Sequence, residues 1–238
     1  MSKKYDISLQ EIADFLCQYE SEMPRDFSEQ PKGFSLSQIQ EAEKRIGITF
    51  PETYKNYLLS YGQNAINNIF HHINASEETL YSYDCIEEVI EEYPSFEQLP
   101  KEQWHTLAEN YVLIWCENQG VWNAGYLKKD VAEGVLDPPV YISTNDDFIT
   151  FEKGWENTDA FLKEMLFFAA WEKGFAKYRE NDSIWEYMEK EGLDKQKICQ
   201  KGIHGCMDTE KDRLYLFLQY DFETILLVSD EEYDDEEE

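Results

Sequence analysis

Apolar residues in the first part of the chain recur every three or four positions, the spacing of one face of an amphipathic helix. Residues 8–22 carry such a stripe and predict a first helix, and residues 23–32, which contain two prolines, predict a connector. Ser35 and Gln38 have the spacing of a capping box, and Gly47 supplies a left-handed stop. The polar signals and the apolar stripe therefore agree on a second helix between Ser35 and Gly47.

Three more segments show the helical spacing. Tyrosine and leucine recur at i, i+3, i+4 and i+7 between Pro51 and Gly62, and proline favours the first turn of a helix. Residues 84–93 predict a short helix that is rich in glutamate. Residues 158–173 predict a long helix with a wide apolar face, and Gly174 follows it as a stop.

From residue 111 onward the apolar period falls to two or the apolar run becomes continuous, which is typical of strands. A meander of strands is expected in the middle of the chain, and a helix over residues 183–191 is expected before a terminal hairpin. The predicted strands are 111–116, 122–126, 139–143, 147–151, 214–219 and 224–228.

This order of elements indicates an α+β fold. We expect one mainly antiparallel or mixed sheet with helices packed against it, followed by a C-terminal helix and hairpin extension. Residues 178–229 either extend the first sheet or form a small unit of their own, and the pattern does not distinguish the two. The corresponding division of the chain is an N-terminal helix and connector (1–34), an α+β domain (35–174), a C-terminal extension (175–229) and an acidic disordered tail (230–238).

The composition is typical of a cytoplasmic protein with no membrane partner. Hydrophobic residues make up 42% of the 238 positions, which is enough for a core. No apolar segment follows the two lysines near the N-terminus, and the longest apolar runs are far shorter than the roughly 18 residues of a membrane span. Five cysteines, an odd number without a CxxC pair, favour reduced thiols over a disulfide framework.

The charge balance changes this picture most. Fifty Asp and Glu oppose 21 Lys and Arg, which gives a formal net charge of −29. Residues 56–152 hold 17 acids and three lysines, and residues 230–238 hold eight acids and no base. Such a charge disfavours direct binding to nucleic acid, for which clustered lysine and arginine are needed, and it favours cationic partners.

Motifs that carry catalysis are missing from the sequence. It contains no GxSxG elbow, HExxH, Walker-type loop or GxGxxG, so we assign no catalytic residue and no cofactor. Cys199, His204 and Cys206 lie within eight residues, but a fourth ligand and the spacing of a metal site are lacking. His71 and His72 are adjacent and would point to opposite faces of a strand. Neither set predicts a metal site.

Like charges on the predicted 84–93 helix mark a candidate contact surface. Glu87 with Glu91, and Glu88 with Glu92, form i, i+4 pairs that each cost about 0.2–0.5 kcal/mol of helix stability, and no lysine lies between them. Because no lysine offsets the repulsion between these glutamates, we interpret this helix face as a contact surface for a cationic partner and not as a merely solvated face.

Two aromatic residues are expected to be the apolar anchors of this contact surface. Trp122 and Tyr126 lie on one face of a predicted strand, and aromatic side chains often dominate the energetics of interfaces. The predicted partner-binding residues are Asp84, Glu87, Glu88, Glu91, Glu92, Trp122, Tyr126, Asp146 and Asp147.

The segment IQEAEKRIGITFPETYKNYLLSYG, residues 39–62, resembles the N-terminal signature of the SUKH superfamily. That signature is a helix with a small apolar turn, then Pro-x-x-Tyr-x-x-(Tyr/Phe)-Leu and a closing glycine. Residues 112–147 are similar to bacterial members, so the resemblance covers roughly residues 35–174. It implies an α+β fold without catalysis, in which the signature positions build the helix pair: Gly47, Pro51, Tyr54, Leu58 and Gly62.

The resemblance implies one of two functions. Bacterial SUKH proteins are mostly immunity proteins of secreted polymorphic toxins, many of them nucleases, whereas fungal members are signalling or cell-wall scaffolds. A nuclease has a basic groove that an acidic protein blocks by imitating the phosphate array. We therefore expect neutralisation of a cognate basic toxin domain, and the alternative is a non-enzymatic regulatory scaffold that binds several cellular proteins.

Overall fold

The computed structural model of the chain describes residues 3–19, 30–67, 74–76, 79–81, 110–116, 122–144, 151–179, 184–198, 205–220 and 223–229. Within them the α+β prediction is confirmed, because helices accompany two antiparallel sheets of five and four strands and a two-stranded ribbon. The chain divides into two compact units. We call residues 1–30 with 162–238 the terminal unit, and residues 31–161 the central unit.

The elements follow one another along the chain with short helices between strands in its second half. In chain order they are β1 (Lys3–Tyr5), α1 (Leu9–Gln18), α2 (Leu36–Ile46), α3 (Glu52–Tyr61), a 3₁₀ turn (Ala65–Asn67), β2 (Asn74–Ser76), β3 (Thr79–Tyr81), β4 (Tyr111–Cys116), β5 (Trp122–Leu127), α4 (Lys128–Ala132), β6 (Val140–Thr144), β7 (Glu152–Trp155), α5 (Thr158–Glu172), β8 (Ala176–Arg179), α6 (Ile184–Lys190), α7 (Lys195–Ile198), β9 (Gly205–Asp208), β10 (Arg213–Tyr220) and β11 (Glu223–Val228).

The five-stranded sheet of the terminal unit joins the two ends of the chain. Its order is β1-β9-β10-β11-β8, and every pair in it is antiparallel. The predicted terminal hairpin is confirmed as β10 and β11, which lie in the interior of this sheet. One face of the sheet packs with α6 and α7 in a core of Ile184, Met188, Leu193, Ile198, Cys206, Tyr215, Phe217, Leu226 and Val228.

A buried lysine holds the end of α1 in the terminal unit. Lys173 is 1% exposed, and its Nζ donates to the carbonyl oxygens of Leu16 at 2.5 Å and Tyr19 at 3.3 Å. The last carbonyls of a helix have no partner within the helix and carry partial negative charge. The ammonium group therefore satisfies the C-terminal end of α1, which contains no lysine or arginine in its own last turn.

Local sequence signals form the helix pair of the central unit as predicted. The capping box at the start of α2 is present, with Gln38 N–H donating to Ser35 Oγ and Ser35 N–H donating to Gln38 Oε1. Gly47 ends α2 at a φ of 75°. The four apolar positions predicted for α3 are all buried: Tyr54, Tyr57, Leu58 and Tyr61.

The four-stranded sheet of the central unit has the order β4-β5-β6-β7, all antiparallel. Trp115 and Trp155 contact the ring of Phe161 at centroid distances of 5.4 and 4.9 Å, so both pack towards the start of α5. The strand that pairs with β6 runs from Glu152 to Trp155, later in the chain than the strand predicted over 147–151. Residues 147–150 and the predicted 84–93 helix lie outside the described residues.

No helix within the described ranges has the length and apolar content that a bilayer crossing requires.

Candidate functional site

All seven acidic residues predicted to contact a partner lie outside the described residues. The helix predicted over 84–93 and the turn at 145–150 both fall there. The backbone of Trp122 begins β5, where it pairs with Thr144, and its side chain is not among those described. The contact positions without a described side chain are Asp84, Glu87, Glu88, Glu91, Glu92, Trp122, Asp146 and Asp147.

Tyr126 is a core residue of the central unit, and we therefore remove it from the expected contact set. Its side chain is fully buried, and its hydroxyl lies 3.1 Å from Thr158 Oγ1 at the start of α5. Its ring meets Tyr54 of α3 edge to face at 6.1 Å. Burial raises the pKa of Tyr126 well above its ordinary value. The period-two alternation predicted for β5 is present, but the face that carries Tyr126 is covered by α3 and α5.

The opposite face of the same sheet carries a partly exposed group of aromatic side chains. Tyr111 of β4 stacks on Phe151 at 4.4 Å between ring centroids and meets Tyr141 of β6 at 5.8 Å. The Tyr141 hydroxyl donates to Asp130 Oδ2 in α4 over a long 3.4 Å. All four side chains are intermediate in exposure. We call Tyr111, Asp130, Tyr141 and Phe151 the aromatic–acid cluster.

The register of the sheet brings the two tyrosines together. Tyr111 pairs with Leu127, and Tyr141 pairs with Gly125, so both tyrosines flank β5 on one face. Gly125 contributes no side chain between them, and a Cβ at that position would lie 2.4 Å from the carbonyl oxygen of Val112. The glycine therefore allows a close approach of β4 and β5 and leaves room for the rings.

Burial is the main cause that raises the pKa of both Tyr111 and Tyr141, and the negative charge of Asp130 raises each further. Both hydroxyls therefore stay protonated at neutral pH, and the Tyr141 hydroxyl donates to Asp130. The tyrosine rings are rigid and apolar and carry a polar hydroxyl, and Asp130 supplies a carboxylate beside them. Side chains of this kind are common anchors of protein interfaces. The cluster is suited to protein recognition because tyrosine is enriched at the energetic centres of interfaces.

The described residues contain no group of three His, Cys, Asp or Glu side chains placed to hold a metal ion. Cys199, His204, His71 and His72, which we considered as ligands, lie outside the described residues. Cys206 is fully buried in β9, and burial is the main cause that raises the pKa of its thiol to about 12. At neutral pH this thiol is protonated, and the thiolate is the form that binds metals.

The aromatic–acid cluster is not predictable from the sequence, although the strands that carry Tyr111 and Tyr141 are. The missing information was the register, because a one-residue slip moves every side chain of a strand to the other face. The only signal for Tyr141 was its alternation with Val140 and Ile142 in the predicted strand. Asp130 follows β5 directly in a short helix that the sequence did not predict.

Comparison with family models gives a match over the central part of the chain. The family model SUKH_6, described as SMI1-KNR4 cell-wall, matches residues 36–162, just over half of the 238 residues. No curated protein and no solved structure matches the chain. The matched range contains the helix pair, the four-stranded sheet and the aromatic–acid cluster.

Proposed function

The chain belongs to the SUKH superfamily, in the SMI1-KNR4 family, and on that premise we propose that it is a cytoplasmic, non-enzymatic immunity protein. It binds a cognate toxin domain with a basic surface, and a nuclease is the toxin chemistry that fits its charge best. Membership of the superfamily is compatible with an immunity protein or with an SMI1/KNR4-like scaffold. The large excess of acidic residues in this chain favours the immunity function over the scaffold function.

The observation that carries the proposal is the excess of acids inside the family-matched range. Residues 56–152 lie wholly within residues 36–162 and hold 17 acids and three lysines. An excess of this size creates a negative potential that attracts a cationic partner and accelerates its encounter. A nuclease needs a cationic groove to bind phosphates, so the active surface of such a toxin complements this potential.

The aromatic–acid cluster supports the proposal with an apolar element. Charges at the rim of an interface mainly set the association rate, whereas buried aromatic anchors dominate the dissociation rate. Tyr111 stacks on Phe151 and meets Tyr141 edge to face, all three rings are partly exposed, and Asp130 lies beside them. We propose that these residues replace Tyr126 as the anchors, with Trp122 and the carboxylates of the predicted set around them.

A regulatory scaffold is the second candidate, favoured by the description of the matching family as SMI1-KNR4 cell-wall. In this function the eight acids of residues 230–238 recruit several cellular proteins through a segment that has no basic residue. The two candidates differ in the number of partners, since an immunity protein has one cognate toxin and a scaffold has many.

The test is affinity capture from a lysate of the native organism, with elution by increasing salt and identification by mass spectrometry. We expect one dominant basic protein that elutes at a defined salt concentration. Expression of that protein alone should be toxic to cells, and co-expression of this chain should protect them. Several housekeeping proteins that elute over a broad salt range would support the scaffold and contradict immunity.

Truncation of the aromatic–acid cluster tests its role in the captured complex. We expect Tyr141→Ala to raise the dissociation constant about thirtyfold, the effect of losing an interface anchor worth about 2 kcal/mol. Surface plasmon resonance measures this change, and urea unfolding checks that the variant is folded. Trp171→Ala, which removes a 39% exposed aromatic side chain from the terminal unit, is the matched control. Equal losses in both variants would exclude the cluster from the interface.

A further inference from the structure

The strand β1 covers one side of β9 at an edge of the five-stranded sheet, and it is short. Its three residues, Lys3–Tyr5, pair antiparallel with Cys206, Met207 and Asp208 of β9. Strands in proteins usually have about five or six residues, so three backbone pairs are a weak attachment by themselves. We call the side of β9 that β1 covers the β9 edge. Side-chain contacts must hold much of β1 on this edge.

A buried ion pair is the first of these contacts. Lys3 Nζ lies 2.5 Å from Asp208 Oδ2, and the two side chains are 16% and 3% exposed. The other carboxylate oxygen of Asp208 accepts the backbone N–H groups of Glu210 and Lys211, so the turn after β9 fixes its position. Removal of the cation from a carboxylate this deeply buried is strongly destabilising. The β9 edge therefore requires a basic residue in the strand that covers it.

An aromatic residue makes the second contact. The Tyr5 hydroxyl accepts the N–H of Asp194, directly before α7, at 2.6 Å. Lys197 Nζ of α7 lies 4.8 Å from the centre of the Tyr5 ring. Lys3 and Tyr5 are two positions apart in a strand and therefore point to the same face. Together they define the pattern that this edge recognises, which is a basic residue followed two positions later by a tyrosine.

The chain leaves β1 through a residue in an unfavourable backbone conformation. Asp6 has a φ of 57°, in the left-handed region that residues with a Cβ rarely adopt. The next residue, Ile7, is buried, and Ser8 caps the N-terminal end of α1. The strained link thus separates β1 from residues that are anchored independently, and detachment of β1 would relieve the strain.

We propose that the β9 edge is a strand-binding site at which an extended basic segment of a partner protein replaces β1. The incoming strand pairs with β9, places a lysine or arginine at Asp208 and places a tyrosine hydroxyl at the Asp194 N–H. Exchange keeps the buried carboxylate paired with a cation, whereas loss of β1 without a replacement would not. Addition of a strand to a sheet edge is a recurring mode of peptide recognition.

This site is distinct from the surface of the proposed function. It lies in the terminal unit, and its residues fall outside the range 36–162 that the family model matches. The proposal therefore does not depend on the immunity function.

A partner protein fits the β9 edge better than a second copy of this chain does. A second copy carries the required pattern in residues 3–5, but each chain has a formal net charge of −29, so two copies repel each other. A basic segment of another protein is attracted by the same field. Analytical ultracentrifugation of the wild type should therefore show a monomer. A dimer that Lys3→Ala abolishes would assign the edge to a second copy and overturn the partner proposal.

The binding test uses a fluorescein-labelled peptide with the sequence of residues 1–8, MSKKYDIS, titrated into the full-length chain. In the wild type, β1 competes at an effective concentration in the millimolar range, so we expect weak binding by fluorescence anisotropy. Lys3→Ala weakens β1 and leaves Asp208 in place, where the probe restores the ion pair. Because more of the edge is then open, probe binding should strengthen by about tenfold or more.

Lys4→Ala is the matched control for Lys3→Ala. Lys4 is the next residue of β1, and its side chain is 55% exposed in a surface ion pair with Glu11. Its removal should change probe binding by less than about twofold. Equal probe affinities of the two variants would contradict the replacement of β1.

Altered probes test the recognition pattern on the Lys3→Ala variant. Arginine in place of the first lysine of the probe should preserve binding, whereas alanine there, or in place of the tyrosine, should weaken it about tenfold. If both alanine probes bound as tightly as the parent probe, the side-chain contacts would not determine binding and the proposal would be wrong.

Amide chemical shifts in nuclear magnetic resonance spectra locate the bound probe. We expect changes at Asp194 and Met207 on addition of the probe to the Lys3→Ala variant, and changes that exclude both residues would overturn the proposal. Circular dichroism checks that the variant folds. If it does not, Tyr5→Ala gives the same comparison, because it removes the hydroxyl that accepts the Asp194 N–H.

Discussion

At the residue scale, Gly125 positions the aromatic–acid cluster because it has no side chain. It lies in β5 between Leu113 of β4 and Tyr141 of β6, and a Cβ there would lie 2.4 Å from the Val112 carbonyl oxygen. The obstacle is backbone, which cannot rotate away as the end of a side chain can. The separation of β4 and β5, and with it the contact between Tyr111 and Tyr141, depends on this glycine.

We predict that Gly125→Ala destabilises the protein by about 1–3 kcal/mol, the usual effect of adding a methyl group to a closely packed site. Urea unfolding followed by tryptophan fluorescence measures the free energy of unfolding. Gly154→Ala in β7 is the control, because its Cβ would meet the Ile142 side chain at 3.1 Å, which can shift. The control should stay within about 0.5 kcal/mol of the wild type. Equal effects in both variants would contradict the backbone contact at Gly125.

Two helices show at the element scale how similar capping boxes differ in chemistry. α1 begins at Ser8 with Glu11 in the third position, and α2 begins at Ser35 with Gln38 there. The hydrogen bond from Lys4, then the Ser8 N–H, lower the pKa of Glu11 to about 2. Glutamine has no charge to lose, so only the box of α1 depends on pH.

We predict that acid weakens the fold partly through Glu11. Because its folded pKa of about 2 lies below the ordinary 4.5, its ionised form stabilises the fold above pH 4.5, and this contribution is lost as the pH falls towards 2. The carboxylate is 36% exposed and screened by solvent, so the contribution is at most about 1 kcal/mol. In Glu11→Gln, the free energy of unfolding should therefore fall less than in the wild type over this window.

Urea unfolding at micromolar concentration between pH 4.5 and 2 measures this difference, and dilution limits precipitation near the isoelectric point of about 4.3. Glu41→Gln is the control, since it makes the same charge change on an exposed position of α2 outside its capping box. If both variants changed the pH dependence equally, the effect would come from overall charge, and the Glu11 interpretation would be wrong.

At the scale of the whole molecule, the field of 50 acids and 21 bases determines how partners approach. The net negative charge is concentrated in residues 56–152, which hold 17 acids and three lysines, and in residues 230–238, which hold eight acids and no base. A negative field discriminates between partners by charge before contact. The proposed basic toxin would therefore be attracted from a distance, and a strongly acidic protein would be repelled.

We predict that reversing charge on the predicted acidic helix slows association with the captured basic partner. Glu88→Lys with Glu92→Lys should lower the association rate constant about tenfold at low salt and flatten its dependence on ionic strength, with a smaller effect on dissociation. Stopped-flow fluorescence across a salt series gives both quantities.

Glu186→Lys with Glu189→Lys provides the matched control for this double variant. It makes the same net charge change on exposed positions of α6 in the terminal unit. Equal slowing in the two double variants would show that only net charge matters, and it would remove the predicted helix from the contact surface.

The sequence by itself determined the features that neighbouring residues create. Ser35 with Gln38, and Gly47 at the other end, were sufficient to predict the limits of α2, because a cap acts on backbone groups within one turn. The same locality explains why the helix over 158–173 was predicted correctly, with α5 at Thr158–Glu172. The family signature consists largely of residues that begin and end helices, so it too could be recognised from the sequence alone.

The tertiary structure alone decided register, burial and long-range pairing. Lys3–Tyr5 forms an edge strand with partners at Cys206, Met207 and Asp208, about 200 positions away, and three residues carry too little pattern to predict such a strand. Alternation predicted the strand that carries Tyr126 but not which face the helices cover, so Tyr126 is buried whereas Tyr111 and Tyr141 are partly exposed. Period two is the same for both faces of a sheet, and only packing against distant elements distinguishes them.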